Sequence, residues 1–349
     1  MRKVGVVVTL KEIAEKVGVS ISTVSRVVNQ NNPKAASPEI QKKIWNVVRE
    51  SGYIPNKAAR SLKSGNMSVV ASPEPKSIAC IYGRTDDTLS DPFFTHIARS
   101  IEREAFKNNY FVKYSFSASE VSSSQLHQHL ADIQVDGVVV LGRFHDELLS
   151  FISQRWSNVV YTGLNPITSP FDQVICEGYD AALAAMDYLL ELGHTKIAYI
   201  GEQRKEIRYY AYKDSLKKHD IECLPSRVVD VIQSSEGGYR GVNELIERGA
   251  DVTAVFCAND VTAIGAMRAF KEHSIQVPKD ISVIGIDDIE TAQYMSPMLT
   301  TIHIPRDELG KVAAQTLIRR IQKLHRLPMK ISLPFYVVKR ESCCEPPLK

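Results

Sequence analysis

From residue 78 onward the chain alternates short apolar runs with longer stretches of helical periodicity. Strand candidates fall at 78–82, 111–116, 136–141, 158–162, 172–175, 196–200, 253–257, 281–286 and 299–304. Helical stretches such as 94–108, 178–192, 236–248, 260–273 and 306–324 lie between most of them. Such alternation predicts parallel, doubly wound sheets, because parallel neighbours need a long crossover and a helix supplies it. About 270 residues is large for a single sheet, so two α/β lobes with a cleft between them are expected.

The first 52 residues follow a different pattern, an all-α unit of three helices. Thr9-Leu-Lys-Glu12 reads as a capping box opening a short helix with Leu10, Ile13, Ala14 and Val17 on one face. Gly18-Val19 makes a tight turn, and Ser20 caps a second helix with Val24, Val27 and Val28 inward. Ser37-Pro38 starts a third, with Ile40, Ile44, Val47 and Val48 as its buried positions and Gly52 as its stop. Residues 54–77 read as a linker. Within it Lys57–Lys63 spans two helical turns, too short to hold a helix in water without a partner. The expected division is 1–53 for the helical unit, 54–77 for the linker, 78–340 for the two-lobed core and 341–349 for a tail.

Charge follows this division. Residues 1–65 carry twelve Lys and Arg against four Asp and Glu, or +8, while the remaining 284 carry 31 against 36, or −5. A basic head on a mildly acidic body is the electrostatic footprint of a nucleic-acid-binding module, although a solvated basic face has the same composition. The six cysteines form no C-x-x-C pair and no cluster with His at metal-ligand spacing, so no metal and no cofactor is expected. Cys80, Cys176 and Cys257 lie in apolar runs, and Cys343–Cys344 sit in the polar tail. Val4–Val8 is too short for a signal-peptide core and no apolar run approaches ~18 residues, so a cytoplasmic protein without a membrane contact is expected.

Two short helices joined by a Gly-containing turn in a basic unit suit helix-turn-helix geometry, a periodicity that a helical hairpin in any small domain shares. The second helix would expose Ile21, Ser22, Ser25, Arg26 and Asn29 opposite its valines, and these are side chains that can meet base edges and phosphates. Val8-Thr-Leu-Lys-Glu-Ile-Ala-Glu-Lys-Val-Gly-Val-Ser-Ile-Ser-Thr-Val-Ser-Arg-Val-Val-Asn29 resembles the headpiece of the LacI/GalR family of sugar- and metabolite-responsive repressors. Gly52-Tyr53-Ile54-Pro55-Asn56 with Ala58-Ala59-Arg60-Ser61-Leu62 resembles that family's hinge. Leu192-Gly193-His194, Ala258-Asn259-Asp260, Pro278 to Asp288 and Leu299-Thr-Thr-Ile302 extend the resemblance over nearly the whole chain.

The resemblance implies a pair of headpieces in a homodimer, a periplasmic-binding-protein-like core, and operator DNA affinity altered by a small effector in the cleft. It assigns base reading to Ile21, Ser22 and Arg26, and phosphates or adjacent edges to Thr9, Thr23, Ser25 and Asn29; Leu10 and Ser20 complete the headpiece set. Lys57, Ala59 and Leu62 fall in the hinge helix, which in this family folds in the minor groove, with Leu62 as the wedge, and Asn56 ahead of it joins the DNA-binding set. Asn31 to Ala36 is a longer loop than in many relatives.

For the effector, the resemblance puts Arg208, Asn259 and Asp287 on the cleft wall, with Phe93 or Phe94 as the apolar face for a sugar or base ring. A cap or turn role is the competing expectation for Asn259 and Asp287. His194 reads as structural. Thr162 and Gln233 stand where certain sugar-binding relatives carry a carboxylate and an aromatic, so sugar identity does not carry over. Asp91–Phe94, Ser234–Tyr239 and Ile289–Pro297 resemble the galactoside-responsive branch, which makes a galactoside the first expectation. An enzyme is disfavoured because no Gly-rich phosphate loop, G-x-S-x-G elbow or H-E-x-x-H helix is present. A transport binding protein is disfavoured by the basic helical residues 1–63. Glu341 to Lys349 has no heptad pattern, so a dimer without a tetramer is expected.

Overall fold

Thr9 opens the first helix by the reciprocal exchange its sequence implies. The Thr9 amide donates to Glu12 Oε2 at 2.7 Å, and the Glu12 amide donates to Thr9 Oγ1 at 3.4 Å. Helix α1 (Leu10–Val17) stops at Gly18, whose φ of 76° lets its amide reach back to Ala14 O. Ser20 Oγ accepts from the Thr23 amide at 3.1 Å and starts α2 (Ile21–Gln30). Ser37 Oγ accepts from the Ile40 amide at 3.4 Å, just ahead of α3 (Pro38–Ser51). Ile13, Ala14, Val24, Val27, Val28, Ile44 and Val48 form the core of this unit, with Ile40 and Val47 half-buried beside them. Three valines make α2 a poor helix former by itself, so its packing on α1 and α3 holds it.

The computed structural model describes residues 9–30, 35–51, 76–83, 91–118 and 133–347. They divide into two units, with the boundary between Glu74 and Pro75.

In the second unit β1 (Lys76–Tyr82), α4 (Pro92–Lys107), β2 (Tyr110–Ser117), β3 (Gly137–Leu141), α5 (Asp146–Arg155), β4 (Val159–Gly163) and β5 (Asp172–Ile175) build one lobe. The chain then crosses into α6 (Gly178–Glu191), β6 (Ile197–Gly201), α7 (Ile207–Lys218), β7 (Val228–Asp230), α8 (Ser235–Glu247), β8 (Ala254–Cys257), α9 (Asp260–Glu272), β9 (Ser282–Asp287) and β10 (Thr300–His303). It returns as α10 (Arg306–Ile321), which packs on α4, and β11 (Lys330–Ser332), then crosses a last time into β12 (Tyr336–Val338). The sheets run β11-β5-β4-β3-β1-β2 and β12-β10-β9-β8-β6-β7. All neighbours are parallel except β12 against β10.

Strands β3, β4, β6, β8 and β9 are buried along their whole length, as strands covered on both faces must be. In the second lobe α8 and α9 approach so closely that a Cβ on Gly265 would lie 1.8 Å from Ser235 O.

Periodicity alone leaves α5, α7, β7, β11 and β12 unassigned. The three strands have three residues each, and β11 and β12 are half-exposed, so neither length nor alternation marks them. Residues 341–345, expected as a tail, are stitched to the second lobe. Ser342 is fully buried, its Oγ donating to Val283 O at 2.6 Å and accepting from the Thr300 amide at 2.8 Å. Cys343 packs there too, and burial pushes its thiol up to about 12.

Asp172, fully buried at the start of β5, ties the return crossing to the first lobe. Arg320 grips it through Nε (2.5 Å) and Nη2 (2.8 Å), and His325 Nε2 (2.8 Å) and the Met329 amide (2.7 Å) complete its shell. Burial works to raise its pKa, but these hydrogen bonds outweigh burial and hold the carboxyl below its ordinary value. A lowered folded pKa means stability present above the ordinary carboxylate range and lost as pH falls below that range through the lowered folded value. Asp172→Asn, which leaves Arg320 without its counter-charge, should cost about 3–5 kcal/mol near neutral pH, with the deficit shrinking as the wild type is acidified. Denaturant melts of both proteins across pH check this; a pH-independent difference contradicts it.

Candidate functional site

Two surfaces collect the side chains with recognition chemistry. On the N-terminal unit, burial of Val24, Val27 and Val28 turns the other face of α2 outward. Ile21 is 48% exposed, Ser22 and Arg26 are exposed, and Ser25 and Thr23 are half-buried. Thr9 and Ser20 are exposed at the starts of their helices, and Leu10 is half-buried. Ser20 Oγ lies 2.7 Å from Ser22 Oγ and 2.9 Å from Thr23 Oγ1, so three hydroxyls cluster where α2 begins. Hydroxyls and amides at a helix N-terminus suit phosphate oxygens, and Arg26 one turn on suits a guanine edge. Asn29 lies on α2. Asn56, Lys57, Ala59 and Leu62, like Gly52, lie outside the described residues.

In the second unit both parallel sheets have their topological switch beside the first strand, between β1 and β3 and between β6 and β8. Ligand crevices form beyond the carboxyl ends of strands at such points. The carboxyl ends of the two sheets line one cleft. One lobe gives Asp91, Phe93 and Phe94 at the start of α4, Gly142 and Arg143 after β3, and Tyr161, Leu164 and Asn165 around the end of β4. The other gives Arg208, Gln233, Asn259 and Asp287. All five residues assigned to the effector by resemblance therefore line the same cleft.

Each is positioned locally. Asp91 Oδ1 accepts from the Phe93 amide at 2.8 Å and caps α4, and Phe93 and Phe94 meet edge to face with centroids 5.1 Å apart. Asn259 is both a cleft residue and a helix cap: its Oδ1 accepts from the Thr262 amide (3.0 Å) and hydroxyl (2.6 Å), so the cap does not use its NH₂. Asp287 ends β9 with φ of 125°, an unusual conformation for a residue with a side chain, and Asp288 follows at 53°. Asp287 is 3% exposed and its Oδ1 has no partner. Burial, then the neighbouring Asp260 carboxylate, push its pKa well above the ordinary range, against the pull of Arg208.

Sequence reading missed the group at the centre. Glu206, fully buried, is the N-cap of α7 and accepts from Arg208 Nε at 2.7 Å, Arg208 Nη2 at 3.0 Å and Gln233 Nε2 at 3.0 Å. Arg143 from the opposite lobe donates to the same carboxylate and to Glu202 Oε2 at 3.1 Å, so a charged bridge crosses the cleft. The one available signal was position, since Arg143 follows a strand end and Glu206 precedes Arg208 by two residues. His194 is structural: fully buried, it meets Thr253, Ser282 and Cys344 O. Among the described residues no group of His, Cys, Asp and Glu could hold a metal, and no helix is long and apolar enough to cross a membrane.

Comparison with known proteins follows the same two units. A profile for bacterial regulatory proteins of the lacI family matches residues 9–56, and one for a periplasmic binding protein-like domain matches residues 186–343. The chain is 30% identical to the HTH-type transcriptional repressor MelR of Bacillus subtilis (strain 168), over 96% of this chain and 97% of that protein. It is 32% identical to the ribose operon repressor of Haemophilus influenzae, over 96% and 98% respectively. Its structure is similar to that of the transcriptional regulator CelR in complex with cellobiose, with a TM-score of 0.71 and 25% identity over 96% of this chain and 99% of that one. With this identity sustained over almost the full length of both relatives, the chain belongs to the LacI family of bacterial regulatory proteins.

Proposed function

We propose that this protein is a transcriptional repressor of sugar-utilisation genes, acting in the bacterial cytoplasm as a homodimer whose operator affinity is set by a sugar in the cleft. The observation that carries the reading is the pairing of an aromatic wall, Phe93 and Phe94, with polar groups from the facing lobe, Arg208, Asn259 and Asp287, in one cleft. An apolar ring face opposite convergent donors and acceptors is what a sugar requires. The site binds and does not turn over. The relatives support the same class: one is named a ribose operon repressor, and one structural neighbour is a cellobiose complex. A galactoside is the first sugar to try.

On DNA, Ile21, Ser22 and Arg26 read bases while Thr9, Leu10, Ser20, Thr23, Ser25 and Asn29 fix the helix on the backbone or adjacent edges. Asn56, Lys57, Ala59 and Leu62 act in the minor groove. Arg26→Ala should lower specific operator affinity by about 1–3 kcal/mol while nonspecific affinity holds, whereas Lys57→Ala should weaken both alike. Fluorescence anisotropy with operator and scrambled duplexes reads the ratio; an unchanged ratio in Arg26→Ala removes that residue from the groove.

In the cleft, Asp287→Asn tests the effector role without opening a buried ion pair. Replacing the carboxyl that meets a sugar hydroxyl costs about 0.5–1.5 kcal/mol, so the sugar concentration that alters operator binding should rise roughly twofold to tenfold. Operator affinity without sugar should stay within about twofold, because a ligand contact biases only the ligand-bound state. An unchanged sugar midpoint takes Asp287 out of the site.

A further inference from the structure

The guanidinium of Arg208 offers five N–H donors, and four are already committed. Nε and one Nη2 hydrogen go to Glu206, the other Nη2 hydrogen to Gln233 Oε1 at 2.7 Å, and one Nη1 hydrogen to Ala258 O at 2.8 Å. Arg143 spends its terminal nitrogens on Glu202, Glu206 and Arg204 O. Arg208 therefore presents no two-pronged fork of the kind with which guanidinium takes a phosphate or carboxylate, and both terminal nitrogens of Arg143 are already engaged by carboxylates. The cleft-lining residues keep single uncommitted points instead: one Nη1 hydrogen of Arg208, the buried and unpartnered Arg143 Nε, and the unpartnered Asp287 Oδ1. Isolated donors and acceptors match hydroxyls, each of which gives one hydrogen bond and accepts others.

Charge points the same way. Arg143 and Arg208 stand among four carboxyl groups, Asp91, Glu202, Glu206 and Asp287, so the cleft has no net positive field to offer an anion. An anionic ligand that captured the arginines would strand Glu206, which is fully buried, without a counter-charge.

Taking the cleft as the effector site, we propose that it selects a neutral polyhydroxyl effector and rejects the phosphorylated or carboxylated forms of the same sugar, with Glu206 as the specificity-determining residue. The protein then senses a sugar that has not yet passed through a phosphoryl-transfer step. The test is the melting temperature of the full chain titrated with D-galactose, D-ribose and cellobiose, against galactose and ribose phosphate monoesters and galacturonate. A neutral sugar should raise the melting temperature, and its anionic form should bind about a hundredfold more weakly or not at all. An anionic form that binds as well as its parent overturns this selectivity while leaving the sugar-effector reading intact. Silence from every compound in both sets overturns that reading and this inference together. Glu206→Gln, which frees both arginines, should narrow the gap between neutral and anionic forms by about tenfold or more. A folded Glu206→Gln protein that discriminates like the wild type removes Glu206 from the selectivity, and the wild-type panel stands without the variant.

Discussion

The carboxylate of Glu206 gathers donors from three parts of the fold. Arg208 reaches it from the first turn of α7, Gln233 from the segment after β7, and Arg143 from the lobe across the cleft. A fully buried carboxylate is costly unless charge-assisted hydrogen bonds surround it, and here they do. Those bonds fix the plane of the Arg208 guanidinium and so decide which of its hydrogens a ligand meets. The same carboxylate joins the lobes, because breaking its bond to Arg143 is part of any separation of the cleft walls. Exposed pairs such as Lys205–Asp146, at 3.8 Å, add little to this bridge.

On the same wall as Arg208, the cleft continues into the chain crossings. Asp287 lines the cleft, and the adjacent Asp288 accepts from His303 Nδ1 at 2.8 Å and Arg340 Nη2 at 2.5 Å. Burial works to raise the Asp288 pKa, but these two partners hold it below the ordinary value, so it remains charged. Asp288 O also accepts from Arg306 Nη2 at 2.6 Å, and Arg306 opens α10, which belongs to the first lobe. Helix α10 lies against α4 so closely that a Cβ on Gly310 would sit 2.4 Å from Ile97 O, and α4 carries Phe93 and Phe94 back to the cleft. A ligand that repositions Asp287 therefore acts on a closed circuit of packed groups that passes through a crossing, which gives cleft occupancy a physical route to lobe orientation.

How much of this was legible in the sequence depended on the distance over which each interaction acts. The Thr9–Glu12 box spans three residues and could be read directly, as could the valine face of α2. Strands such as β3 and β8 announced themselves as unbroken apolar runs. Arg208 was placed in the cleft by resemblance alone, Asn259 and Asp287 by resemblance and their places after strands, and the cap role expected as a rival for Asn259 proved compatible with a place in the cleft. The Arg143–Glu206 bridge joins residues 63 apart on different lobes, and nothing local to either residue names the other as its partner. Ser342 was hidden for the same reason: its partners Val283 and Thr300 are 59 and 42 residues away, so a polar stretch read as a tail is in fact a buried seam.

The central claim is that cleft and operator are linked through one change of state. Linkage requires reciprocity: if a sugar changes operator affinity by some factor, operator must change sugar affinity by the same factor. The direct measurement is the dissociation constant of the active neutral sugar for free protein and for protein saturated with operator, set beside the operator constant with and without sugar. The account predicts the same ratio from both pairs, about 5–150-fold. Sugar that binds free and operator-bound protein equally well would contradict it.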